Sequence, residues 1–535
     1  MVTHVAARST HASTLLFVSL AALGGGISMW AAFPFTSIWW LSYIGMMLLM
    51  WSVFRRALWL TLWASFLWGS AFMVPLTSWA HISIGWVGPW MALAGIQIAF
   101  MMCWAIGAAV ASRISLMQHW LVWSLFASVT FAGMEQLRGR YPFGGFPWGY
   151  LAYSQVDAPL GNLAHYIGEA PLSFLTAFIG ACAAGLFSAR HRGAQLLMQS
   201  AYGCLALLVA TLPVLVPPTS TTDSTNQKVP HLRVAIIQGN VDRPVEQTYA
   251  TPMKVLDNHI HETLSAFDTD PDIDLFLWGE QASDIDYRND EAVMKKLADL
   301  GRQVHKPIVF GSVQVLDNDA GKRVRHNDLS VLLPDGTINP VYTKRFPVAF
   351  GEYIPMRDFL GKYFSDVKRI PTDMEAGKDI APVIDVAGTQ LAAGICFEVA
   401  IDSLIGEGID NGGTFIVVPT NNSSFGFSAQ SQQQLDIARF RARTYGRSII
   451  QVSTNGVSAL VGPDGRIIEK TPLFTNDSII ADVPTITHTT VGGRLSAPAG
   501  TVCAYATLAG WLIIIVMVFV ARRNTPRRYH KGRKK

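Results

Sequence analysis

The stretch at residues 391–400 reads L-A-A-G-I-C-F-E-V-A: a short apolar run followed by one cysteine, one aromatic residue and one glutamate. A short apolar run next to a glycine is typical of a buried strand in an α/β fold. Side chains at strand ends reach a crevice while the sheet holds them in place. Cys396 therefore stands where such folds place chemistry, although a lone cysteine in an apolar strand is more often a core residue.

Two other apolar runs also lead into residues capable of chemistry. L-F-L-W-G-E ends at Glu280, and V-Y-T-K-R-F-P-V-A-F-G-E-Y-I-P carries Lys344 and Glu352. Each has an ordinary alternative, Glu280 as a charge at a helix N-terminus and Lys344 as a solvated surface lysine. Together with Cys396, they would bring a base, a cation and a thiol to one crevice.

The region around these stretches, residues 231–495, alternates strand-like and helix-like patterns. Runs rich in β-branched residues predict strands at 232–238, 274–278, 307–315, 329–333, 389–396, 415–420, 447–453 and 478–483. Helical patterns cover 255–267, 292–304 and 430–446. The alternation predicts an α/β layered domain.

The rest of the chain has the composition of a membrane protein. Of its 535 residues, 50% are hydrophobic and 15% charged, and its mean hydropathy is +0.28. Stretches of the length needed to cross the hydrocarbon core lie near 13–33, 36–53, 57–79, 85–111, 120–133, 172–188, 196–216 and 502–520, the fifth being short. The predicted organisation is a membrane domain at 1–217 with about seven spans, a linker at 218–230, a soluble domain at 231–495, a C-terminal span at 496–521 and a basic tail at 522–535.

The distribution of basic residues predicts the orientation, because basic loops stay in the cytoplasm. With the N-terminus inside, the inner loops hold Arg8, Arg55, Arg56, Arg113, Arg190 and Arg192, and the outer short loops hold chiefly Arg138 and Arg140. This bias places the soluble domain outside the cytoplasm. The basic tail is expected to lie on anionic lipid rather than to bind nucleic acid.

The cysteines and histidines give little sign of a metal site or a disulfide framework. Four cysteines fall in or beside predicted spans, namely Cys103, Cys182, Cys204 and Cys503, which leaves Cys396 alone in the soluble domain. His259 and His261 lack the spacing of a metal-binding helix motif and are interpreted as surface helix residues. No cofactor and no metal are expected.

Several longer motifs carry a resemblance to a known family. They are E-Q-L-R-G-R-Y-P-F-G-G-F-P-W-G-Y-L-A-Y-S-Q between two predicted spans, then I-Q-G-N, K-R-F-P-V-A-F-G-E-Y-I-P, G-I-C-F-E and S-T-N-G-V-S-A-L-V-G-P-D-G. The chain resembles the nitrilase superfamily, whose Glu-Lys-Cys set occurs here in the same order, and within it the membrane-embedded apolipoprotein N-acyltransferases. The resemblance covers nearly the whole chain. It implies a nitrilase-like αββα sandwich outside the cytoplasm, attached to about eight spans.

The chain departs from that family pattern at a few positions. T-N-N-S-S-F-G-F replaces N-D-x-W-F-G, W-G-E replaces W-P-E, and Phe397 stands where tyrosine is common. The family's tryptophan in the loop after Q-G-N has no clear counterpart, although Tyr249 is nearby. Because all three catalytic residue types remain, these changes indicate a divergent lineage rather than lost activity.

The resemblance implies roles for the residues that match the family's motifs. Glu280 would be the general base, Cys396 the nucleophile and Lys344 the group that stabilises the oxyanion. Glu352 would orient Lys344 or Glu280, and Phe397 and Glu398 would support the nucleophile turn. Phe143, Phe146, Pro147 and Trp148 would form a lipid-facing wall or, equally, an aromatic belt at the interface.

The resemblance also implies partners and a location. A phospholipid would donate an acyl chain, and the diacylglyceryl-cysteine at the N-terminus of a lipoprotein would accept it. The protein would be a multi-pass monomer in a bacterial cytoplasmic membrane, with its catalytic domain on the outer side and with no nucleic acid bound.

Two rival interpretations remain open. A membrane-tethered amidase or nitrilase would use the same three residues with water as the acceptor, although eight spans favour a lipid donor. A transporter or receptor would use the external domain only to bind a ligand, but transporters mark their pathway with ionisable residues inside spans. The predicted spans are nearly free of such residues.

Overall fold

The computed structural model describes residues 2–187, 193–215, 229–241, 251, 253–364, 367–368, 370–378 and 381–524. Several sequence predictions fall outside these ranges. Arg190, Arg192 and Tyr249 lie outside the described residues, as do the predicted linker apart from its last two residues and the basic tail beyond Asn524.

The N-terminal region is helical, because apolar segments in lipid must satisfy their backbone hydrogen bonds internally. Its helices are α1 (Val2–Ala31), α2 (Leu41–Val53), α3 (Leu58–Leu76), α4 (Trp79–Ile84), α5 (Val87–Ala111), α6 (Trp120–Arg138), α7 (Ala164–Ile167), α8 (Glu169–Gly185) and α9 (Gly193–Thr211). Short 3-10 turns at Leu151–Gln155 and Pro159–Leu163 connect α6 to α7.

Each of the eight predicted spans overlaps a helix, but among the residues that the structure describes only four helices are long and apolar enough to cross a membrane on their own. These are Ala12–Ala31, Leu58–Leu76, Val87–Ala111 and Val491–Met517. The helices α2 and α8 are apolar but shorter. The helix α6 continues past the predicted end at residue 133, because Glu135 and Arg138 in its last turn pair with each other at 3.7 Å inside the protein.

The C-terminal region is a sandwich of two sheets. Its strands are β1 (His231–Gln238), β2 (Leu275–Trp278), β3 (Ile308–Asp317), β4 (Arg323–Leu332), β5 (Ile338–Thr343), β6 (Val383–Val386), β7 (Thr389–Ala393), β8 (Phe415–Thr420), β9 (Ile449–Ser453), β10 (Ala459–Val461), β11 (Ile467–Lys470) and β12 (Asp477–Pro484). The first sheet has the order β12-β1-β2-β3-β4-β5 and the second β11-β10-β9-β8-β7-β6. In each, three neighbouring strands run parallel: β1, β2 and β3 in one, β7, β8 and β9 in the other.

Helices cover both outer faces of the sandwich. The covering helices are α10 (Lys254–Thr269) and α11 (Glu291–Val304) on one side and α13 (Asp402–Asp410) and α14 (Gln430–Tyr445) on the other. The short helix α12 (Arg357–Leu360) has no buried residue, and after the last strand the chain continues into α15 (Val491–Asn524). The faces between the sheets share one apolar core, with Ile236 and Leu277 from one sheet and Leu391 and Val417 from the other. The αββα layering therefore agrees with the architecture that the resemblance implies.

One apolar core joins the sandwich to the membrane helices. The outer face of the second sheet and the helix α14, represented by Ile416 and Phe440, belong to the same buried cluster as Trp148, Tyr153 and Leu172 from the helical region. The two halves of the chain are thus packed together rather than tethered only by the linker.

All eight predicted strands and the three predicted helices of the sandwich are present. Four strands were not predicted, namely β5, β6, β10 and β11. They are short, and β5 and β11 are largely accessible to solvent, so they lack the apolar runs from which the others were inferred.

Candidate active site

Cys396 lies at a sharp turn directly after β7, at the start of a 3-10 turn formed by Cys396–Ala400. Its φ of 55° is in the left-handed region, which a residue with a side chain rarely adopts. Such a conformation persists only where its surroundings enforce it, and these conformations cluster at functional sites. The turn keeps the cysteine partly accessible, whereas its neighbours Ile395 and Glu398 are buried.

Glu398 holds this turn in place. Its carboxylate accepts hydrogen bonds from the backbone N–H of Ile395 at 2.8 Å, Arg345 at 2.7 Å and Phe346 at 2.9 Å, and from the hydroxyl of Tyr342 at 3.0 Å. One buried carboxylate therefore ties the cysteine turn to the segment that begins at the end of β5.

Glu280 follows β2 and is 3% exposed. Its Oε1 accepts a hydrogen bond from Asn327 Nδ2 at 2.6 Å, and its Oε2 accepts one from the backbone N–H of Asn421 at 2.9 Å. Thr454 Oγ1 also donates to the backbone carbonyl of Glu280 at 2.8 Å. The carboxylate is fixed at both oxygens, and its charge acts directly on Cys396.

Lys344 follows β5 and is fully buried, so it is not the surface lysine of the ordinary alternative. Its Nζ lies 3.3 Å from Glu280 Oε1 and 2.6 Å from Glu352 Oε1. The second oxygen of Glu352 accepts the backbone N–H of Val348 at 2.7 Å. We call Lys344, Glu280 and Glu352 the Lys344 cluster.

The electrostatics of the cluster favour a charged lysine and a neutral thiol. Burial opposes the charge on Lys344, but the carboxylates of Glu280 and Glu352 outweigh it and hold the pKa of the lysine well above its usual value. Burial and the negative charge of Glu280 raise the pKa of Cys396 from 9.0 to about 12, while Lys344 acts in the opposite direction. The resting cysteine is therefore a thiol, and it would need a base in order to act as a nucleophile.

An aromatic wall lies against Phe397 and comes from the loop after α6. The ring of Phe397 stacks on Phe146 with centroids 6.1 Å apart and on Trp148 with centroids 6.3 Å apart. Trp148 Nε1 donates to Gln433 Oε1 of α14 at 2.7 Å. The membrane half thus supplies one side of the site.

The exposure of this loop differs from the expected lipid-facing wall. Trp148 is 3% exposed, and Phe146 and Pro147 are also buried, whereas Phe143 is exposed. The physical reason is that the indole N–H of Trp148 finds its acceptor on α14, which draws the loop under the sandwich. Phe143 instead contacts the ring of Phe350, and its carbonyl accepts the hydroxyl of Tyr353 at 3.2 Å.

A second buried ion cluster joins the two halves. Arg441 of α14 is fully buried, and it lies 2.8 Å from Glu169 Oε2 of α8 and 2.7 Å from Asp402 Oδ1. It also donates to the hydroxyl of Tyr153 at 3.1 Å. Further donors on Arg441 bind the carbonyls of Val399 and Ala400, which end the cysteine turn. We call Arg441, Glu169 and Asp402 the Arg441 cluster.

The interpretation of His259 as a surface residue is wrong, whereas His261 is exposed as expected. His259 is fully buried on the inner face of α10, with Nδ1 2.8 Å from the carbonyl oxygen of Val255 and its ring 5.3 Å from that of Trp278. Burial lowers its pKa to about 4, so it is a neutral core side chain. No group of metal-ligating side chains is found among the described residues.

Sequence reasoning missed several polar residues of the site. Asn327 lies within β4, Thr420 ends β8 with its Oγ1 3.3 Å from Cys396 Sγ, and Arg441 lies in the middle of α14. Asn327 and Arg441 do not follow apolar runs, which was the signal that identified Cys396. Thr420 does follow one, F-I-V-V-P, but threonine is an ordinary strand residue and was not singled out. The one available signal was the density of amide side chains in Q-S-Q-Q-Q-L, which is unusual for a helix that proves to be buried.

Comparison with known proteins finds two family matches in the chain. Residues 25–182 match the apolipoprotein N-acyltransferase N-terminal domain, and residues 233–489 match the carbon-nitrogen hydrolase family. The helical region and the sandwich are each matched over most of their length.

Individual relatives cover most of the chain. It is 30% identical to the apolipoprotein N-acyltransferase of Mycolicibacterium smegmatis, over 95% of this chain and 86% of the relative. It is 28% identical to that of Pseudomonas putida, over 86% of this chain and 88% of the relative.

Among solved structures, a mutant of the Nesterenkonia AN1 amidase from the nitrilase superfamily matches with a TM-score of 0.36 and 17% identity, over 48% of this chain and 92% of the amidase. A carbon-nitrogen hydrolase from Helicobacter pylori matches with a TM-score of 0.36 and 14% identity, over 48% of this chain and 89% of that structure.

Proposed function

The chain belongs to the apolipoprotein N-acyltransferase family, and from this membership we propose that it moves a fatty acyl chain from a phospholipid to a lipoprotein through a thioester on Cys396. It is a membrane acyltransferase that acts in lipoprotein N-acylation. The proposed acceptor is the α-amino group of the diacylglyceryl-cysteine at the lipoprotein's N-terminus. The observation that carries the proposal is the convergence of Glu280, Lys344 and a neutral Cys396 beside aromatic side chains from the membrane half.

The first half-reaction acylates the cysteine. Glu280 accepts the proton of the Cys396 thiol as the sulfur attacks the ester carbonyl of the phospholipid. The carbonyl oxygen becomes an oxyanion, which Lys344 and a backbone N–H near the cysteine stabilise by about 3 to 4 kcal/mol per donor. Collapse breaks the ester bond, Glu280 returns its proton to the leaving oxygen, and a lysophospholipid departs.

The second half-reaction resolves the thioester. The α-amino group of the acceptor attacks the thioester carbonyl, and Glu280 accepts a proton from the amine as the tetrahedral intermediate forms. The C–S bond then breaks, the amide product leaves and the sulfur regains its proton from Glu280. The same three residues therefore serve both halves, with Glu352 keeping Lys344 in position.

The junction between the halves suits two lipid substrates. Drawing an acyl chain into water costs about 0.8 kcal/mol for each exposed methylene. A site whose wall belongs to a membrane loop avoids most of this cost, because the chain never leaves an apolar environment. The ring of Phe397, within the cysteine turn, stacks on Trp148, and this pair would offer an apolar surface to such a chain.

The ends of the helices support an outer location for the sandwich. The end of α3 that contains Leu76 binds the side chain of Gln433, whereas the loops at the far ends of α3 and α5 carry Arg56 and Arg113. Those two arginines lie together, with Arg113 Nη2 donating to the carbonyl of Arg56 at 3.3 Å. Because basic loops stay in the cytoplasm, we propose that the sandwich lies on the outer side of a bacterial cytoplasmic membrane.

Mass spectrometry of the intact enzyme after incubation with phospholipid tests the proposal. We expect an added acyl mass on the peptide that contains Cys396, removed by hydroxylamine. The Cys396→Ala variant should show no added mass, and Cys182→Ala, which changes a buried cysteine of α8, should behave like the wild type. An acyl mass that persists in Cys396→Ala would overturn the proposed nucleophile.

A second candidate function is hydrolysis by the same three residues, because the sandwich matches the carbon-nitrogen hydrolase family. Labelled phosphatidylethanolamine and a diacylated lipopeptide separate the two functions. Transfer produces a labelled triacylated peptide. Release of labelled free fatty acid without that peptide would support the hydrolase.

A further inference from the structure

The sulfur of Cys396 lies close to the hydroxyl of Thr420 as well as to the charged groups of Glu280 and Lys344. Thr420 Oγ1 lies 3.3 Å from Cys396 Sγ, and Thr420 is fully buried at the end of β8. A threonine hydroxyl has one hydrogen to donate and can also accept. Whether it stabilises a thiolate therefore depends on where that single hydrogen points.

The direction of the hydrogen is set by a chain of hydrogen bonds that starts at a backbone amide. The N–H of Gly456, which can only donate, lies 2.7 Å from Ser453 Oγ. Ser453 accepts there, so its own hydrogen is free to reach Asn422 Oδ1 at 2.9 Å. With Ser453 donating, the oxygen of the Asn422 amide faces Ser453 and Nδ2 faces α14.

On α14 the same logic orients two glutamines. Asn422 Nδ2 donates to Gln430 Oε1 at 2.6 Å and to Gln434 Oε1 at 3.0 Å. Gln430 Nε2 also donates to Gln434 Oε1 at 3.1 Å. With its oxygen occupied by two donors, Gln434 presents its Nε2 to Thr420 Oγ1 at 3.1 Å. Thr420 therefore accepts from Gln434.

Three acceptors compete for the hydrogen of Thr420. Gln434 Oε1 lies at 3.3 Å but already accepts two hydrogen bonds, which fills its lone pairs. Asn422 Oδ1 is farther away, at 3.5 Å, and already accepts from Ser453. Asn422 Oδ1 keeps one lone pair, but 3.5 Å is long for an O–H···O hydrogen bond, whereas 3.3 Å is an ordinary distance for a hydrogen bond to the larger sulfur atom. The sulfur of Cys396 is therefore the best-placed acceptor for the hydrogen of Thr420.

We propose that Thr420 is a further catalytic residue, whose hydroxyl donates to Cys396 Sγ and stabilises the thiolate, and that Asn422 and Gln434 are positioning residues that aim it. When Glu280 takes the thiol proton, negative charge develops on the sulfur and the existing O–H···S contact becomes a charge-assisted hydrogen bond. No further proton moves in this step. The inference rests on the proposed role of Cys396 as the nucleophile.

The surroundings agree with a neutral, directional network. Asn422, Gln434 and Ser453 are each at most 2% exposed, so water does not compete for these bonds. A side-chain carbon at Gly456 would lie 2.2 Å from Asn422 Oδ1, so only glycine lets the backbone N–H come this close. Thr420 also opposes the burial that raises the pKa of Cys396.

Alkylation of the purified full-length protein with iodoacetamide tests the inference without any lipid substrate. The rate at which Cys396 is modified, followed by mass spectrometry, reports the availability of its thiolate. In Thr420→Val, which keeps the shape and removes the hydroxyl, we expect modification about tenfold or more slower than in the wild type, as for the loss of a hydrogen bond to a charged group. Thr420→Ser restores the hydroxyl and should stay within about twofold of the wild type.

Gln434→Glu tests the direction of the network. A carboxylate at this position cannot donate to Thr420 and would accept its hydrogen, so alkylation should slow in this variant. The double variant Thr420→Val with Gln434→Glu should then be no slower than Gln434→Glu alone, because the hydroxyl is already diverted. A double variant slowed by the product of the two single effects would overturn the positioning route.

The outcomes separate this inference from the proposed function. Equal alkylation rates for Thr420→Val and the wild type would overturn the inference and leave the acyl-enzyme experiment untouched. Acyl transfer that survives Cys396→Ala would overturn the proposed function, while a slowed Thr420→Val would still establish the hydrogen bond. Thr420→Ala provides a second hydroxyl-free variant where Thr420→Val fails to fold, and thermal unfolding of each variant identifies such a failure.

Discussion

The Lys344 cluster and the Arg441 cluster have the same composition, one buried cation between two carboxylates. They differ in how many hydrogen-bond acceptors the cation contacts. Arg441 contacts five acceptors, counting carbonyls, a hydroxyl and carboxylates. Lys344 contacts two carboxylate oxygens, and no further acceptor lies within hydrogen-bonding distance of its Nζ in the part of the chain that the structure describes. An ammonium group has three donors. The comparison distinguishes a cation whose donors join several elements from one that retains an unused donor, which the proposed mechanism assigns to the substrate.

The neighbours of the two clusters reinforce the difference. The Lys344 cluster borders Cys396, a titratable group that remains partly accessible. The Arg441 cluster borders the backbone carbonyls of Val399 and Ala400 and the hydroxyl of Tyr153, none of which takes part in the proposed reaction. Substitutions should therefore affect chemistry at one cluster and stability at the other.

The largest expected effect concerns the thiol beside the Lys344 cluster. A pKa raised from 9.0 to about 12 makes the thiolate of native Cys396 about a thousandfold scarcer below pH 9 than that of an unperturbed cysteine. Because the pKa of Cys396 is raised to about 12, the neutral thiol dominates at every pH below that value. The alkylation rate should therefore continue to increase with pH in the range where the rate of an ordinary thiol levels off. Iodoacetamide kinetics of native and urea-unfolded protein between about pH 7 and pH 10 measure this. A plateau near pH 8.5 in the native protein would contradict it.

Lys344→Met should lower acyl transfer by about a hundredfold to a thousandfold, because it removes the charged donor aimed at the oxyanion. Formation of triacylated lipopeptide measures the effect. Lys296→Met is the matched control, since Lys296 pairs with Asp257 on the surface and its loss should leave transfer unchanged. Transfer by Lys344→Met within threefold of the wild type would remove the distinction between the two clusters.

Arg441→Met should reduce the free energy of unfolding by about 3 to 5 kcal/mol, since it leaves Glu169 and Asp402 buried without their cation. Thermal and denaturant unfolding in detergent measure the loss. Adding Glu169→Gln should recover part of it by removing one of the orphaned charges. In the folded fraction of Arg441→Met, the alkylation rate of Cys396 should change little. A large decrease in that rate without a loss of stability would indicate instead that Arg441 takes part in the chemistry.

Trp148→Phe should have the smallest effect, a loss of about 1 kcal/mol of stability, because it removes one buried hydrogen bond to Gln433 while keeping an aromatic ring beside Phe397. Trp79→Phe is the matched variant, since Trp79 Nε1 donates to the same oxygen at 3.1 Å from a less buried position. Trp148→Phe should unfold at a lower temperature than Trp79→Phe. The reverse order would place the main attachment of the loop elsewhere.

Sequence reasoning identified Glu280, Lys344 and Cys396 because each stands out chemically after an apolar run, and strand ends converge in layered folds. It missed Thr420 and Arg441, because a polar residue inside an element looks like a surface residue until its partners are known. Those partners are far away in the chain: Arg441 pairs with Glu169, and Thr420 meets Cys396. Their distance along the sequence is what hid them.

The fold shows the same pattern of success and failure. Apolar runs located eight strands of the sandwich, and long apolar stretches located the helices of the membrane half. The strands β5 and β11 were missed because they are short and accessible, and His259 was misplaced because its partner Val255 lies one helical turn away on a buried face. Local sequence patterns predict burial well for apolar side chains and poorly for polar ones.

The protonated resting state of Cys396 also bears on its chemical survival. Oxidation to sulfenic acid proceeds through the thiolate and falls with its abundance. A catalytic domain in an oxidising compartment outside the cytoplasm would expose a cysteine of low pKa to repeated oxidation between turnovers. In the proposed mechanism the anion forms only when a substrate and Glu280 meet the sulfur, which would keep an unpaired cysteine usable in an oxidising compartment.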